Sequence, residues 1–80
     1  WFSSMVVHLV FNKASLKQAC ENATIGDAIA LIFDGSKAEI EKNDLENSLQ
    51  DRAVKIITAG ENDSLYKLIF NKDSITKSYY

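Results

Sequence analysis

The chain contains no proline, one cysteine, one histidine, one methionine and three glycines in 80 residues. A single cysteine excludes an internal disulfide framework, and with one histidine it makes no zinc site unless carboxylates or other chains contribute. No glycine-rich loop, no Ser-His-Asp order and no carboxylate pair at a fixed spacing occurs, so the residues alone do not describe an enzyme, and no metal or cofactor is expected. Nine basic and eleven acidic residues are scattered without a basic run. This argues against strong direct nucleic-acid binding driven by charge. No apolar run approaches the roughly 18 to 20 residues of a membrane span, and the N-terminus lacks the basic flank and long apolar stretch of a signal peptide. A cytoplasmic protein without membrane attachment is expected.

What is present is an ordinary globular composition, 46% hydrophobic and 25% charged. A chain of this size buries only about 60% of the surface it exposes unfolded, so a partner is expected to add to its core. Residues 1–4 precede the only methionine, Met5, and read as an N-terminal extension or expression remnant. Residues 5–80 read as one domain.

The clearest organising stretch runs from Gly26 to Gly35. The apolar residues Ala28 to Phe33 lie between two turn signals without polar alternation, the pattern of a strand covered on both faces. Asp34-Gly35 supplies the turn at its carboxyl end, and ligands of open α/β sheets bind beyond such ends. A site is therefore expected near Asp34. Met5 to Phe11 is a second apolar run, and Arg52 to Thr58 a third, with Lys55 hinting at thinner cover. Ser74 to Tyr80 alternates and reads as an edge-like strand.

Between these strands lie helices. Ser15 and Gln18 form a capping-box pattern ahead of a face made by Leu16, Ala19, Cys20 and Ala23, with Gly26 suited to the left-handed position that ends the helix. Ser36 and Glu39 open a second helix to about Gln50, with a break expected at Lys42-Asn43-Asp44. Asn62 or Asp63 caps a third, with Leu65, Leu68 and Ile69 inward. The alternation of strands and helices predicts a small three-layer α/β sandwich, a mostly parallel sheet with helices on both faces.

Cys20 is the one strong nucleophile by residue type. Its place in the second half of a helix, on the face of Leu16 and Ala23, favours packing over a reactive thiolate. His8 lies inside a strand and reads as a hydrogen-bonded core or interface histidine, with acid–base work the alternative if it reaches the rim. Asp34 caps the next helix or serves a pocket together with Gly35. Tyr79 and Tyr80, with Phe70 and Trp1, make either an interface patch or loose ends.

Three stretches resemble the DsrH/TusB family of DsrE-like sulfur-relay subunits. They are Val6-Val7-His8-Leu9 with Asn12-Lys13-Ala14-Ser15, then Ala23 to Gly35 with its Gly-Asp, apolar strand and Asp-Gly, and finally Val54 to Ala59. The loop after the first strand is shorter than the family's and lacks its Ser-Pro. The resemblance implies an accessory subunit of a cytosolic sulfur-relay complex, built with related DsrE/DsrF or TusC/TusD-like subunits and passing persulfide sulfur toward 2-thiouridine in tRNA or within sulfur oxidation. Some members carry a sulfur-transfer cysteine on the first helix. Its position matches Ala19, one residue before Cys20, which is a turn of about 100° on a helix. Two alternatives stand beside this: a sulfur carrier acting through a Cys20 persulfide, and a homo-oligomeric binding module without sulfur chemistry.

Overall fold

A computed structural model describes residues 5–33, 35–49 and 53–80. Four strands, β1 (Met5–Val10), β2 (Ala28–Leu31), β3 (Lys55–Thr58) and β4 (Ser74–Tyr79), alternate with α1 (Leu16–Asn22), α2 (Gly35–Ser48) and α3 (Asn62–Ile69). All neighbouring strands are parallel, in the order β3-β2-β1-β4. The chain is a three-layer α/β sandwich. β2 is an inner strand, and its four residues are all buried, as an uninterrupted apolar strand requires.

Strand alternation divides the core. Val10, Ile29, Leu31, Ile56 and Tyr79 face Leu16 and Ala19 of α1, Ala23 just after it, Ala38 of α2 and Leu49 just after that helix, in one cluster. Val7, Ala28, Ala30 and Ile57, also buried, lie on the opposite face, which α3 crosses from β3 to β4. Leu65, Leu68 and Ile69 of α3 are only half-buried, so this layer is the thinner one.

Three local expectations are corrected. The hydroxyl of Ser15 does not cap α1; it donates to the Tyr80 carbonyl. A 3-10 turn over Lys13–Ser15 leads into the helix instead, and the Asn12 side chain accepts from the Ala14 N–H. α2 runs unbroken through Lys42-Asn43-Asp44. None of these residues is a helix breaker, and Ala38, Leu45 and Leu49 form one stripe at spacings of seven and four that docks on the core throughout. α3 begins after Glu61, whose carboxylate takes the Thr58 N–H at 2.8 Å, so neither Asn62 nor Asp63 is its cap.

Gly26 has φ +89° but is not the residue that ends α1. It sits at the third position of a turn closed by the Asp27 N–H on the Thr24 carbonyl at 3.0 Å, where positive φ favours glycine. A β-carbon there would meet nothing within 4 Å. Gly26→Ala is therefore expected to cost about 1 kcal/mol through the backbone alone. In thermal unfolding this is a fall of roughly 4 to 8 °C in Tm; an unchanged Tm contradicts the assignment.

Candidate functional site

The one histidine is the centre of a buried polar chain. His8 is 2% exposed, Asp27 5% and Tyr79 5%. His8 Nε2 lies 3.0 Å from Asp27 Oδ2, and His8 Nδ1 lies 2.8 Å from the Tyr79 hydroxyl. Asn22 Nδ2 donates to the same hydroxyl at 3.3 Å. Asp27 also accepts the Thr24 N–H (3.0 Å), the Thr24 hydroxyl (3.2 Å) and the Val6 N–H (3.3 Å). A carboxylate only accepts, so Nε2 carries a proton. The Tyr79 oxygen takes the Asn22 donor, and its own proton then finds an acceptor in Nδ1. His8 Nε2, the Tyr79 hydroxyl and the Thr24 and Val6 donors of this group each have a partner.

The sequence places each group for its own reason. His8 shares the inward face of β1 with Val10. The turn at Gly26 delivers Asp27 to the amino end of β2, and Tyr79 ends the edge strand β4. Burial pushes the Asp27 carboxyl up. The hydrogen bond from His8 and those from the Thr24 and Val6 backbone outweigh it, leaving the group below its ordinary 3.8. Asp–His–Tyr order resembles a proton relay, yet both ends are sealed under packed side chains. The described residues enclose no pocket. Chemically the arrangement ties β1, β2, α1 and β4 together.

A second polar group lies at the carboxyl end of β3. Glu61 accepts from Lys42 Nζ at 3.1 Å as well as from the Thr58 N–H, and the buried Thr58 hydroxyl is 3.2 Å from Glu39. The Thr58 N–H bond, opposed by burial and aided by Lys42, holds Glu61 below the usual carboxylate range. The bond to Glu61 in turn raises Lys42. These contacts anchor α2 and the start of α3 to the sheet margin.

Strand order moves the expected ligand position. The connections reverse direction across β1, so the topological switch lies between the carboxyl ends of β1 and β4 and not after β2. There the Phe11 and Tyr80 rings stack with centroids 5.1 Å apart, and Ser15 bonds the Tyr80 carbonyl. Asp34 lies outside the described residues, as does Trp1. Gly35 is the first residue of α2, at the far side of β2 from this switch. Cys20 is half-buried and packs against the core beside Ala19, which is fully buried. The structure thus brings His8 together with Asp27 and Tyr79, and leaves Cys20 and Gly35 outside that group. Asp27 and Asn22 were not singled out by sequence reasoning. The available signal was the histidine itself: a lone imidazole inside an apolar strand needs a buried partner, and Asp27 is the acidic residue that immediately precedes the most apolar strand.

No family model, curated protein or solved structure matches this chain. Among the described residues, no helix is long and apolar enough to cross a membrane, and no group of three or more His, Cys, Asp or Glu residues is placed to hold a metal ion.

Proposed function

We propose that this chain is a non-catalytic subunit of a sulfur-relay complex of the DsrH/TusB kind, standing beside DsrE/DsrF or TusC/TusD-like subunits whose cysteine carries the persulfide. The observation that supports a non-catalytic role is the setting of Cys20. It lies toward the carboxyl end of α1 and packs on the core, where the helix dipole does not favour a thiolate. The residue matching the family's carrier position is the buried Ala19. The partial exposure of Cys20 favours one competing reading, a carrier acting through its persulfide.

The test is reconstitution with purified related subunits and a persulfide-generating cysteine desulfurase, followed by the intact mass of each chain. The expected result is a defined hetero-oligomer with added sulfur on the related subunit and none on this one. Sulfur added to this chain and lost in Cys20→Ser establishes the carrier instead. A folded chain that joins no related subunit removes the relay reading altogether.

A further inference from the structure

Among the described residues, no strand pairs with the outer edge of β4. β4 is the outermost strand on its side, regular over six residues and free of proline. Ile75 is 55% exposed, and Thr76, Lys77 and Ser78 are exposed beside it. The Phe11 N–H bonds the Tyr79 carbonyl at 2.9 Å, which turns the backbone groups of Tyr79 toward β1. By strand alternation those of Lys77 and Ile75 point the same way. The N–H and C=O of Thr76 and Ser78, and the C=O of Ser74, therefore point outward along the edge. The Ser74 N–H is taken by the Asn71 carbonyl at 3.0 Å. Such a row of backbone groups is a template for another strand.

We propose that β4 pairs antiparallel with β4 of a second copy about a two-fold axis through Thr76, joining two four-stranded sheets into one of eight. A two-fold axis perpendicular to the sheet keeps each side chain on its own face, so a regular register must place one residue on the axis. With Thr76 there, the two Thr76 residues exchange N–H···O=C bonds, and each Ser78 N–H meets the partner's Ser74 carbonyl. None of these bonds needs the occupied Ser74 N–H. An axis at Ile75 requires that N–H. An axis at Lys77 sets the two lysines opposite each other, and one at Ser78 sets them on the close diagonal. Centred on Thr76, Lys77 stands opposite the partner's Ile75. Right-handed twist then brings close the diagonals that match Lys77 with the partner's Asp73 and Ile75 with the partner's Ile75. Charge is complementary twice over, and the exposed Ile75 is covered. On the other face Ser74 lies opposite the partner's Ser78.

This inference rests on the strand edge and not on the sulfur-relay reading. Its test is native mass spectrometry and sedimentation of the protein alone over a concentration series. Thr76→Pro deletes an outward N–H that the β1–β4 ladder does not use. Lys77→Asp sets like charges together, and Lys77→Asp with Asp73→Lys exchanges them. The wild type is expected to dimerise with concentration. Thr76→Pro and Lys77→Asp should each weaken the dimer by about tenfold or more with native circular dichroism retained, and the double exchange should restore it. A wild type that stays monomeric throughout overturns the proposal. So does a dimer that Lys77→Asp leaves unchanged, a reading that holds even if Thr76→Pro does not fold.

Discussion

Asp27→Ala is expected to destabilise the protein by about 3 to 5 kcal/mol, the cost of removing one partner from a buried hydrogen-bonded pair. The substitution strips acceptors from His8 Nε2, the Thr24 N–H and hydroxyl, and the Val6 N–H. None of these donors has a second partner in the network. At about 0.05 to 0.15 kcal/mol per residue, an 80-residue domain has roughly 4 to 12 kcal/mol in hand. Asp27→Ala should therefore leave a marginal or unfolded chain, read by urea unfolding with circular dichroism. Asp27→Asn is expected to fall between, at about 1 to 3 kcal/mol, because its NH₂ must face a donor whichever way the amide is set. The same carboxylate makes stability depend on acid. Its folded pKa is depressed, so the unfolded chain binds the proton more readily. The contribution is complete above the ordinary carboxylate value and is lost as pH falls through the lower folded value. Glu61 adds in the same direction. The gap between wild type and Asp27→Asn should narrow below about pH 4. A loss under 1 kcal/mol for Asp27→Ala, with no change in the acid limb, would falsify the structural role given to the His8–Asp27 contact.

Tyr79→Ala should cost about 3 to 5 kcal/mol, the range for truncating a buried aromatic. The side chain is 5% exposed and belongs to the same cluster as Val10, Leu16, Ala19 and Ala23. Tyr79→Phe isolates the hydroxyl. It leaves His8 Nδ1 and the Asn22 amide without their shared partner, and about 1 to 2 kcal/mol should follow. A double-mutant cycle of Tyr79→Phe with His8→Ala should return a coupling of about 0.5 to 3 kcal/mol. A Tyr79→Phe variant as stable as the wild type would show that only the ring holds β4 to the core.

The contrast between Tyr79 and Tyr80 shows what a sequence conveys. Adjacent identical residues alternate faces on a strand, so one aromatic must point inward if the segment is paired. The alternation was legible, but which of the two is inward depends on the neighbour. Pairing of Val10 with Tyr79 settled it, and placed the hydroxyl on His8. Capping patterns misled for a related reason. Ser15 and Asn62 have the right chemistry, yet a 3-10 turn precedes α1 and Glu61, not Asn62, stands at the start of α3, because of how the preceding strands end. The break expected at Lys42-Asn43-Asp44 failed because propensity is a weak term against a stripe of Ala38, Leu45 and Leu49 docked on the sheet.

Read along the chain, the residues were enough for the alternation of strands and helices, the strand buried on both faces, the edge character of the last strand and the need for glycine at position 26. Each of these follows from hydrophobic period or from backbone sterics, which act over a few residues. The strand order came from the fold, and with it the switch point between β1 and β4, the joining of His8 to Asp27 and Tyr79 across 19 and 71 residues of chain, and the outward row of backbone groups on β4. Those are matters of which distant segments lie side by side, and no local period records them.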